Sequence, residues 1–92
     1  MSVTVRLPSQ LRSLVGGAGE VVVDATNVRE AIAAVELSHP GLAARVLDEA
    51  GQLRRFVNVF VADEDVRFLE GLDTPLAAGA VVSLVPAVAG GC

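Results

Sequence analysis

The sequence predicts an α+β domain in which a mixed sheet of four to five strands carries one main helix on one face. Two observations lead to this fold class. Short alternating or β-branched segments occur near the start, in the middle and at the end of the chain, and one longer segment has helical spacing. The 92 residues fit a single domain, and its core must be aliphatic because 52% of the residues are hydrophobic but only 3% are aromatic.

Charge and hydropathy argue against several functional classes. Seven basic and eleven acidic residues give a net charge of −4, which is unfavourable for binding nucleic acid. No apolar run approaches the ~20 residues that cross a bilayer. Arg6 and Arg12 interrupt the first apolar stretch, unlike a signal peptide, and the single cysteine cannot form an internal disulfide bond. We therefore expect a cytoplasmic protein with no nucleic-acid or membrane partner.

Two strands are predicted before the helix. Residues 2–7 alternate between apolar and polar side chains, and Pro8 ends this strand. A glycine-rich segment follows at residues 16–19. A phosphate-binding loop would need a helix after the glycines, usually with a Lys-Ser/Thr pair, whereas a β-branched run follows here at residues 21–23. The glycines are therefore interpreted as the turn of a hairpin between the first two strands.

One segment is predicted to be the main helix. Asn27 and Glu30 fit an N-cap with its capping-box partner, and Thr26 is an alternative cap. Apolar residues then recur at helical spacing and form one stripe: Val28, Ala31, Ile32 and Val35. The helix is predicted to end just before Pro40, and a short second helical turn is expected at residues 42–47.

The strongest strand signal covers residues 53–62. Three valines share one face of this strand, and Phe56, Asn58 and Phe60 share the other. A strand that is buried on both faces rarely has an unpaired amide in its middle. We therefore expect the valine face to pack on the helix. The face with Phe56 and Phe60 should meet solvent or a partner, unless Phe68 or an N-terminal segment covers it.

The acidic run at residues 63–65 allows two interpretations. A site for a hard metal cation needs ligands from several positions, and no second run supplies them. A tight turn is therefore favoured. A brief strand or turn is expected next, and then a last strand with Val82 and Leu84 on one face and Ser83 and Val85 on the other.

The order of these elements describes one sheet with a helix across it. A hairpin, a helix and returning strands place the first and last strands side by side and parallel, which is the β-grasp (ubiquitin-like) arrangement. We expect residues 1–86 to form this domain. Pro86 stops regular pairing, and residues 87–92 are predicted to be a flexible tail that Gly90 and Gly91 make very narrow. Fully extended, this tail reaches on the order of 20 Å.

Three segments of the chain resemble ubiquitin-like sulfur carriers of the MoaD/ThiS family, in particular those that serve cysteine biosynthesis in actinobacteria. They are residues 55–61 (RFVNVFV), 63–68 (DEDVRF) and 85–91 (VPAVAGG). The resemblance implies that an ATP-dependent activating enzyme of the MoeB/ThiF type adenylates the carboxylate of Gly91. Sulfur then replaces the adenylate and leaves a thiocarboxylate. Partner enzymes use the ATP and the sulfur source, so the chain itself is expected to need no cofactor.

The same resemblance implies partners for the later steps. The thiocarboxylate attacks activated O-phosphoserine on a dedicated cysteine synthase, and a JAMM-type zinc metallopeptidase cuts the cysteinyl adduct. The chain is thus expected to be a covalent co-substrate without a catalytic residue or a metal, and not an enzyme. Val88, Ala89 and Gly90 would enter the active-site channel of a partner, where a side chain at the penultimate glycine would collide with the walls.

Cys92 departs from the family pattern, which ends at the second glycine. While Cys92 is present, the carboxyl carbon of Gly91 is part of a peptide bond and cannot be adenylated. Three interpretations stay open. Cys92 is a precursor residue that a metallopeptidase removes, or a product-state cysteine awaiting release, or an added residue or a thiol used directly. The precursor interpretation is favoured.

A docking patch is predicted on the helix-free face of the sheet, formed by Phe56, Phe60 and Val85, with Val88 of the tail beside it. Two other functional classes stay open. A ubiquitin-like protein modifier would join Gly91 to lysines of other proteins, and a plain interaction domain would have an inert tail. Within the carrier class, molybdopterin, thiamin or a secondary metabolite are alternative recipients of the sulfur.

Overall fold

The computed structural model describes residues 2–9, 11–17, 19–54 and 57–86 of the chain. Within these residues it contains five strands and two α-helices: β1 (Ser2–Arg6), β2 (Glu20–Asp24), α1 (Val28–Ser38), α2 (Leu42–Val46), β3 (Val57–Val61), β4 (Glu64–Asp65) and β5 (Val81–Pro86). Short 3₁₀ helices occur at Arg12–Val15, Val66–Phe68 and Gly71–Asp73.

The strands form one mixed sheet in the order β2-β1-β5-β3-β4. β1 and β5 are parallel neighbours, with Val5 opposite Val82, and all other neighbouring strands are antiparallel. Parallel strands need a long crossover connection, and α1 lies within the segment that joins them. The β-grasp arrangement predicted from the order of elements is therefore confirmed, including the parallel pairing of the first and last strands.

One aliphatic core lies between α1 and the sheet. The stripe predicted for α1 is fully buried, with Val28, Ala31, Ile32 and Val35 all at 0% exposure. Inward-facing residues of the three central strands complete this layer: Val3, Val5, Val59, Val82 and Leu84. Because one helix covers only one face of the sheet, the opposite face is left for solvent or a partner.

The N-terminus of α1 is capped as the sequence predicted. Asn27 has an extended backbone, and its side-chain oxygen accepts a 2.8 Å hydrogen bond from the N–H of Glu30. The Glu30 carboxylate reaches back to Thr26, one residue beyond the usual capping-box partner. It accepts hydrogen bonds from the Thr26 hydroxyl (2.6 Å) and from the Thr26 N–H (2.8 Å). Both bonds favour the charged carboxylate and lower the pKa of Glu30.

The lowered pKa of Glu30 predicts a contribution to stability that depends on pH. A carboxylate with a depressed folded-state pKa stabilises the fold above its unfolded value, ordinarily 4.5, and loses this effect as the pH falls through the folded pKa. We expect Glu30→Gln to lower the urea midpoint at neutral pH, and the deficit to shrink in acid. Glu49→Gln, in an exposed loop, is the control. A deficit of the same size at both pH values would contradict a role for the charge.

A connection at residues 7–19 joins β1 to β2 and contains the first 3₁₀ helix. Gly16 and Gly17 end this helix with φ angles of 70° and 89°, and the N–H of Gly17 donates a 2.7 Å hydrogen bond to the carbonyl of Arg12. Two successive positive φ angles favour glycine because a Cβ would be strained there. The glycines therefore serve the predicted hairpin, although its connection is longer than a tight turn.

β3 is shorter than the strand predicted for residues 53–62. It begins at Val57, and Leu53 instead forms an isolated bridge with Leu47, just after α2. The N–H of Arg54 donates a 2.9 Å hydrogen bond to the carbonyl of Val46. These backbone bonds tie residues 53 and 54 to the end of α2, so they do not extend the sheet.

The acidic run forms a tight turn, as predicted, but two of its three residues also belong to a strand. Ala62 and Asp63 both have positive φ angles, 52° and 69°, which match the twist of a two-residue hairpin. Glu64 and Asp65 then pair with β3 as β4. The next segment, expected to be a brief strand or turn, is a 3₁₀ helix that the Asp65 side chain caps by accepting a 2.8 Å hydrogen bond from the N–H of Arg67.

Candidate functional site

The helix-free face of the sheet carries the residues predicted for docking. Along β5, Val82 and Leu84 are buried in the core, whereas Val85 points to the other face and is 42% exposed. Along β3, Val59 is buried and Phe60 is half-buried on the face that Val85 occupies. The alternation predicted for the two strands is therefore present.

Phe60 and Val85 are neighbours on this face. In the antiparallel register of β3 and β5, Val85 lies opposite Asn58 and Phe60 lies opposite Ser83. Phe60 and Val85 are therefore diagonal neighbours, a spacing across which an aromatic ring makes contact. Phe68 does not cover them, because its own side chain is 86% exposed. The structure thus brings together two members of the predicted docking patch.

Arg67, in the 3₁₀ helix that follows β4, supports this face. Its Nη1 donates a 2.8 Å hydrogen bond to Oδ1 of Asn58, and its Nη2 donates to the carbonyls of Val57 (2.8 Å) and Arg54 (3.1 Å). An oxygen of the Asp65 carboxylate lies 4.0 Å from Nη1. Asn58 therefore has the partner that an amide in mid-strand requires, and the start of β3 is tied to the 3₁₀ helix that follows β4.

β5 leads the chain to the root of the predicted tail. Pro86, the last described residue, lies opposite Val57 in the sheet. Phe56 of the docking patch lies outside the described residues, and so do the site residues that follow Pro86: Val88, Ala89, Gly90, Gly91 and Cys92. The role of Gly91 and the places of Phe56 and Val88 therefore stay predictions.

A cleft of about 660 Å³ opens beside the end of β5. We term it the arginine cleft, and the residues that line it include Arg6, Pro8, Arg12, Glu20, Ser83 and Val85. The Nε of Arg6 lies 3.4 Å from Oε2 of Glu20. The Nε of Arg12 donates a 3.1 Å hydrogen bond to the carbonyl of Leu7. The cleft shares Val85 with the docking patch, so the two features form one continuous surface.

Within the described residues, the docking patch and the arginine cleft together form a surface that is suited to binding. Among all the described residues, no group of three or more His, Cys, Asp or Glu side chains converges as a metal site. In the same part of the chain, no helix combines the length and the apolar character that crossing a membrane requires. What the arrangement provides is an apolar patch and a cationic cleft, side by side at the root of the C-terminal residues.

Comparison with known proteins gives consistent results. A family model described as the ThiS family matches residues 5–91. The sulfur carrier protein CysO of Mycobacterium tuberculosis is 43% identical over 93 residues, which cover 99% of this chain and 100% of that protein. These matches confirm the resemblance to the MoaD/ThiS family, with CysO among the similar members.

Solved structures are similar as well. One is the Amycolatopsis orientalis BexX/CysO complex, with 45% identity and a TM-score of 0.91 over 97% of this chain and 99% of that chain. Another is small archaeal modifier protein 1 of Haloferax volcanii, with 29% identity and a TM-score of 0.80 over 95% and 98%. The chain therefore belongs to the ThiS family, and it is a small carrier protein and not itself an enzyme.

Proposed function

We propose that the chain is a sulfur carrier whose Gly91 carboxylate is adenylated and converted to a thiocarboxylate, and that this sulfur enters cysteine biosynthesis through O-phosphoserine. The observation that carries the proposal is the extent of the family match, which runs through the Gly-Gly pair and stops at Gly91. The relative with 43% identity, named a sulfur carrier protein, supports the same function.

The chemistry explains why an activating partner is needed. A carboxylate resists nucleophilic attack because its leaving group would be an oxide. Transfer of AMP from ATP to the Gly91 carboxylate releases pyrophosphate and leaves an acyl adenylate. A sulfur nucleophile then attacks the acyl carbon and AMP leaves, so that the carbon keeps one oxygen and one sulfur. The carrier supplies the acyl carbon, the reach of its last residues and a docking surface.

Cys92 has to be removed before this activation. We propose that a JAMM-type zinc metallopeptidase hydrolyses the bond between Gly91 and Cys92 and frees the carboxylate. Hydrolysis of the same bond releases cysteine at the end of the cycle, because the precursor and the cysteinyl product are the same peptide. One peptidase therefore serves both steps.

Three partners follow from this function: a MoeB/ThiF-type adenylating enzyme, an O-phosphoserine-dependent cysteine synthase and the metallopeptidase. Each has to hold the domain of residues 1–86 while the flexible tail that follows Pro86 extends into its active site. The docking patch suits this task, since apolar and aromatic anchors concentrate binding energy. The Amycolatopsis orientalis relative, whose structure is that of a BexX/CysO complex, supports docking to a protein partner.

Exchange of labelled pyrophosphate into ATP tests the activation step. With the MoeB/ThiF-type enzyme, a chain that ends at Gly91 is expected to support exchange, because adenylation is reversible while no sulfur source is present. The chain that retains Cys92 is expected to support none. Exchange with the Cys92 form, or its absence with both forms, would contradict the proposal.

Val85→Asp is expected to weaken binding to the adenylating enzyme by at least about 10-fold, the effect of losing one anchor residue. Val85 is 42% exposed on the helix-free face, and a carboxylate there would be desolvated under the partner. Titration calorimetry measures the change. Leu37→Asp, at a side chain of α1 that is 86% exposed, is the control and should bind normally. Equal weakening by both variants would contradict docking through this face.

A second function is conjugation of Gly91 to lysines of other proteins, and the similarity to a small archaeal modifier protein favours it. All seven basic residues of this chain are arginines. A modifier of this sequence would therefore give single additions, because another copy offers no lysine side chain for extension. Intact mass spectrometry with target proteins, ATP and a sulfur source separates the two functions. Sulfur exchange supports the carrier, and conjugates of higher mass support the modifier.

A further inference from the structure

The arginine cleft is the feature of the described surface that the proposed function leaves without a role. We propose that it is a carboxylate-binding site, in which Arg12, assisted by Arg6, takes an acidic side chain of the adenylating enzyme. This inference rests on the proposed function and names the contact that holds the partner at the root of the tail. It concerns binding alone and involves no covalent step.

Arg12 is oriented for such a ligand. Its Nε is engaged by the carbonyl of Leu7 at 3.1 Å. Its guanidinium lies over Gly19, where an added Cβ would stand 3.5 Å from Nε and Cζ and 3.6 Å from Nη2. The backbone thus fixes one edge of the planar group, and the Nη atoms form its other edge. A fixed guanidinium fork matches the two oxygens of a carboxylate.

The charges around the cleft favour an anion there. Arg6 and Arg12 contribute two positive charges, and Glu20 contributes one negative charge that lies 3.4 Å from Arg6. The side chains of Arg6 and Glu20 are 62% and 57% exposed, so this ion pair is weak and can be rearranged. Ser83 lines the same cleft, and its hydroxyl group is a further hydrogen-bond donor.

The position of the cleft indicates that its occupant is an acidic side chain of a protein. Val85 belongs to both the cleft and the docking patch, so a partner that covers the patch also covers the cleft. Gly91 lies five residues after Pro86. Even when this segment is fully extended, it keeps Gly91 within on the order of 20 Å of the end of β5, where the cleft opens. The net charge of −4 repels free anions, whereas a docked partner delivers its carboxylate directly.

The first test measures the affinity of the full chain for the adenylating enzyme. Arg12→Gln is expected to weaken binding roughly 10-fold, because a hydrogen bond between charged groups is lost. The loss should shrink at high salt, where the wild type loses the same attraction. Arg45→Gln, at an exposed position of α2, should bind as the wild type does. The urea midpoint of Arg12→Gln should stay close to the wild-type value. Arg6→Gln is a second variant for the affinity measurement, and it leaves the hydrogen bond between Arg12 and the carbonyl of Leu7 in place.

The second test identifies the carboxylate. Because the chain contains no lysine, Arg12→Lys introduces a single side-chain amine at the cleft. A zero-length carbodiimide reagent joins an amine to a carboxylate that it touches. In the complex, Arg12→Lys is expected to form a cross-link to an Asp or Glu of the enzyme, which peptide mapping locates. Arg45→Lys is expected to form none.

The outcomes of the binding measurements and of pyrophosphate exchange distinguish failure of the carboxylate site from failure of the proposed function. Normal binding of Arg12→Gln and Arg6→Gln, with weak binding of Val85→Asp, would overturn the carboxylate site and leave the proposed function intact. Binding of inorganic phosphate to the isolated chain, with no effect of Arg12→Gln on the complex, would also overturn it. Failure of the chain ending at Gly91 to support pyrophosphate exchange would instead overturn the proposed function.

Discussion

Replacement of Gly90 by valine, in a chain that ends at Gly91, is expected to lower the rate of adenylation by at least about 10²-fold. The proposed function places the residue before the reacting carbon in a narrow channel of the partner, where glycine gives the thinnest backbone. A β-branched side chain would displace the Gly91 carboxylate, and a shift of about 1 Å is enough for a loss of this size. Pyrophosphate exchange at saturating carrier measures it.

Binding separates this effect from a docking defect. Because the docking patch is unchanged in Gly90→Val, its affinity for the adenylating enzyme should fall much less than its rate of activation. Ala78→Val adds a similar side chain in an exposed loop before β5 and should be activated normally. Activation of Gly90→Val at the wild-type rate would mean that the Gly-Gly pair has no steric role.

Ile32→Ala is expected to cost about 2–5 kcal/mol of unfolding free energy. Ile32 is fully buried in the stripe of α1. Its loss leaves a cavity in a core whose described buried residues include no aromatic side chain to fill the space. The total stability of a domain is only ~5–15 kcal/mol, so the variant would be partly unfolded if the wild type is marginal. Urea denaturation at equilibrium measures the difference.

Leu37→Ala on the same helix is the matched control for Ile32→Ala. Its side chain is 86% exposed, and a surface change of this kind is expected to stay within about 0.5 kcal/mol. If both alanine variants lost similar stability, the assignment of the buried stripe would be wrong. A much smaller loss for Ile32→Ala than expected would mean that the core repacks around the gap.

Sequence patterns that extend over a few residues are sufficient to predict the helix and the order of the strands. The cap at Asn27 and the stripe of α1 depend on spacing within a few residues, and both are present in the structure. β3 begins four residues later than its sequence pattern predicts, because Leu53 and Arg54 have strand-like neighbours but pair with the end of α2. A contact between distant segments decided that boundary, and composition does not encode it.

The candidate site was predictable only in part. Alternation along two strands was enough to place Phe60 and Val85 on one face, because the side-chain period of a strand is fixed. Arg67 contacts Asn58 because the hairpin of β3 and β4 brings the two residues together. Arg12 lines the arginine cleft because the 3₁₀ helix at Arg12–Val15 places it there. The arginines carry no periodic signal of their own, and only the folded chain shows where their guanidinium groups lie.

The step that defines a sulfur carrier is the transfer of sulfur to the acyl carbon of Gly91. Intact mass spectrometry tests it on the chain ending at Gly91, incubated with the MoeB/ThiF-type enzyme, ATP and sulfide. The product is expected to be heavier than the starting chain by the difference between one sulfur and one oxygen atom, and to form only when ATP is present. An unchanged mass, or the same gain on a chain that still carries Cys92, would contradict it.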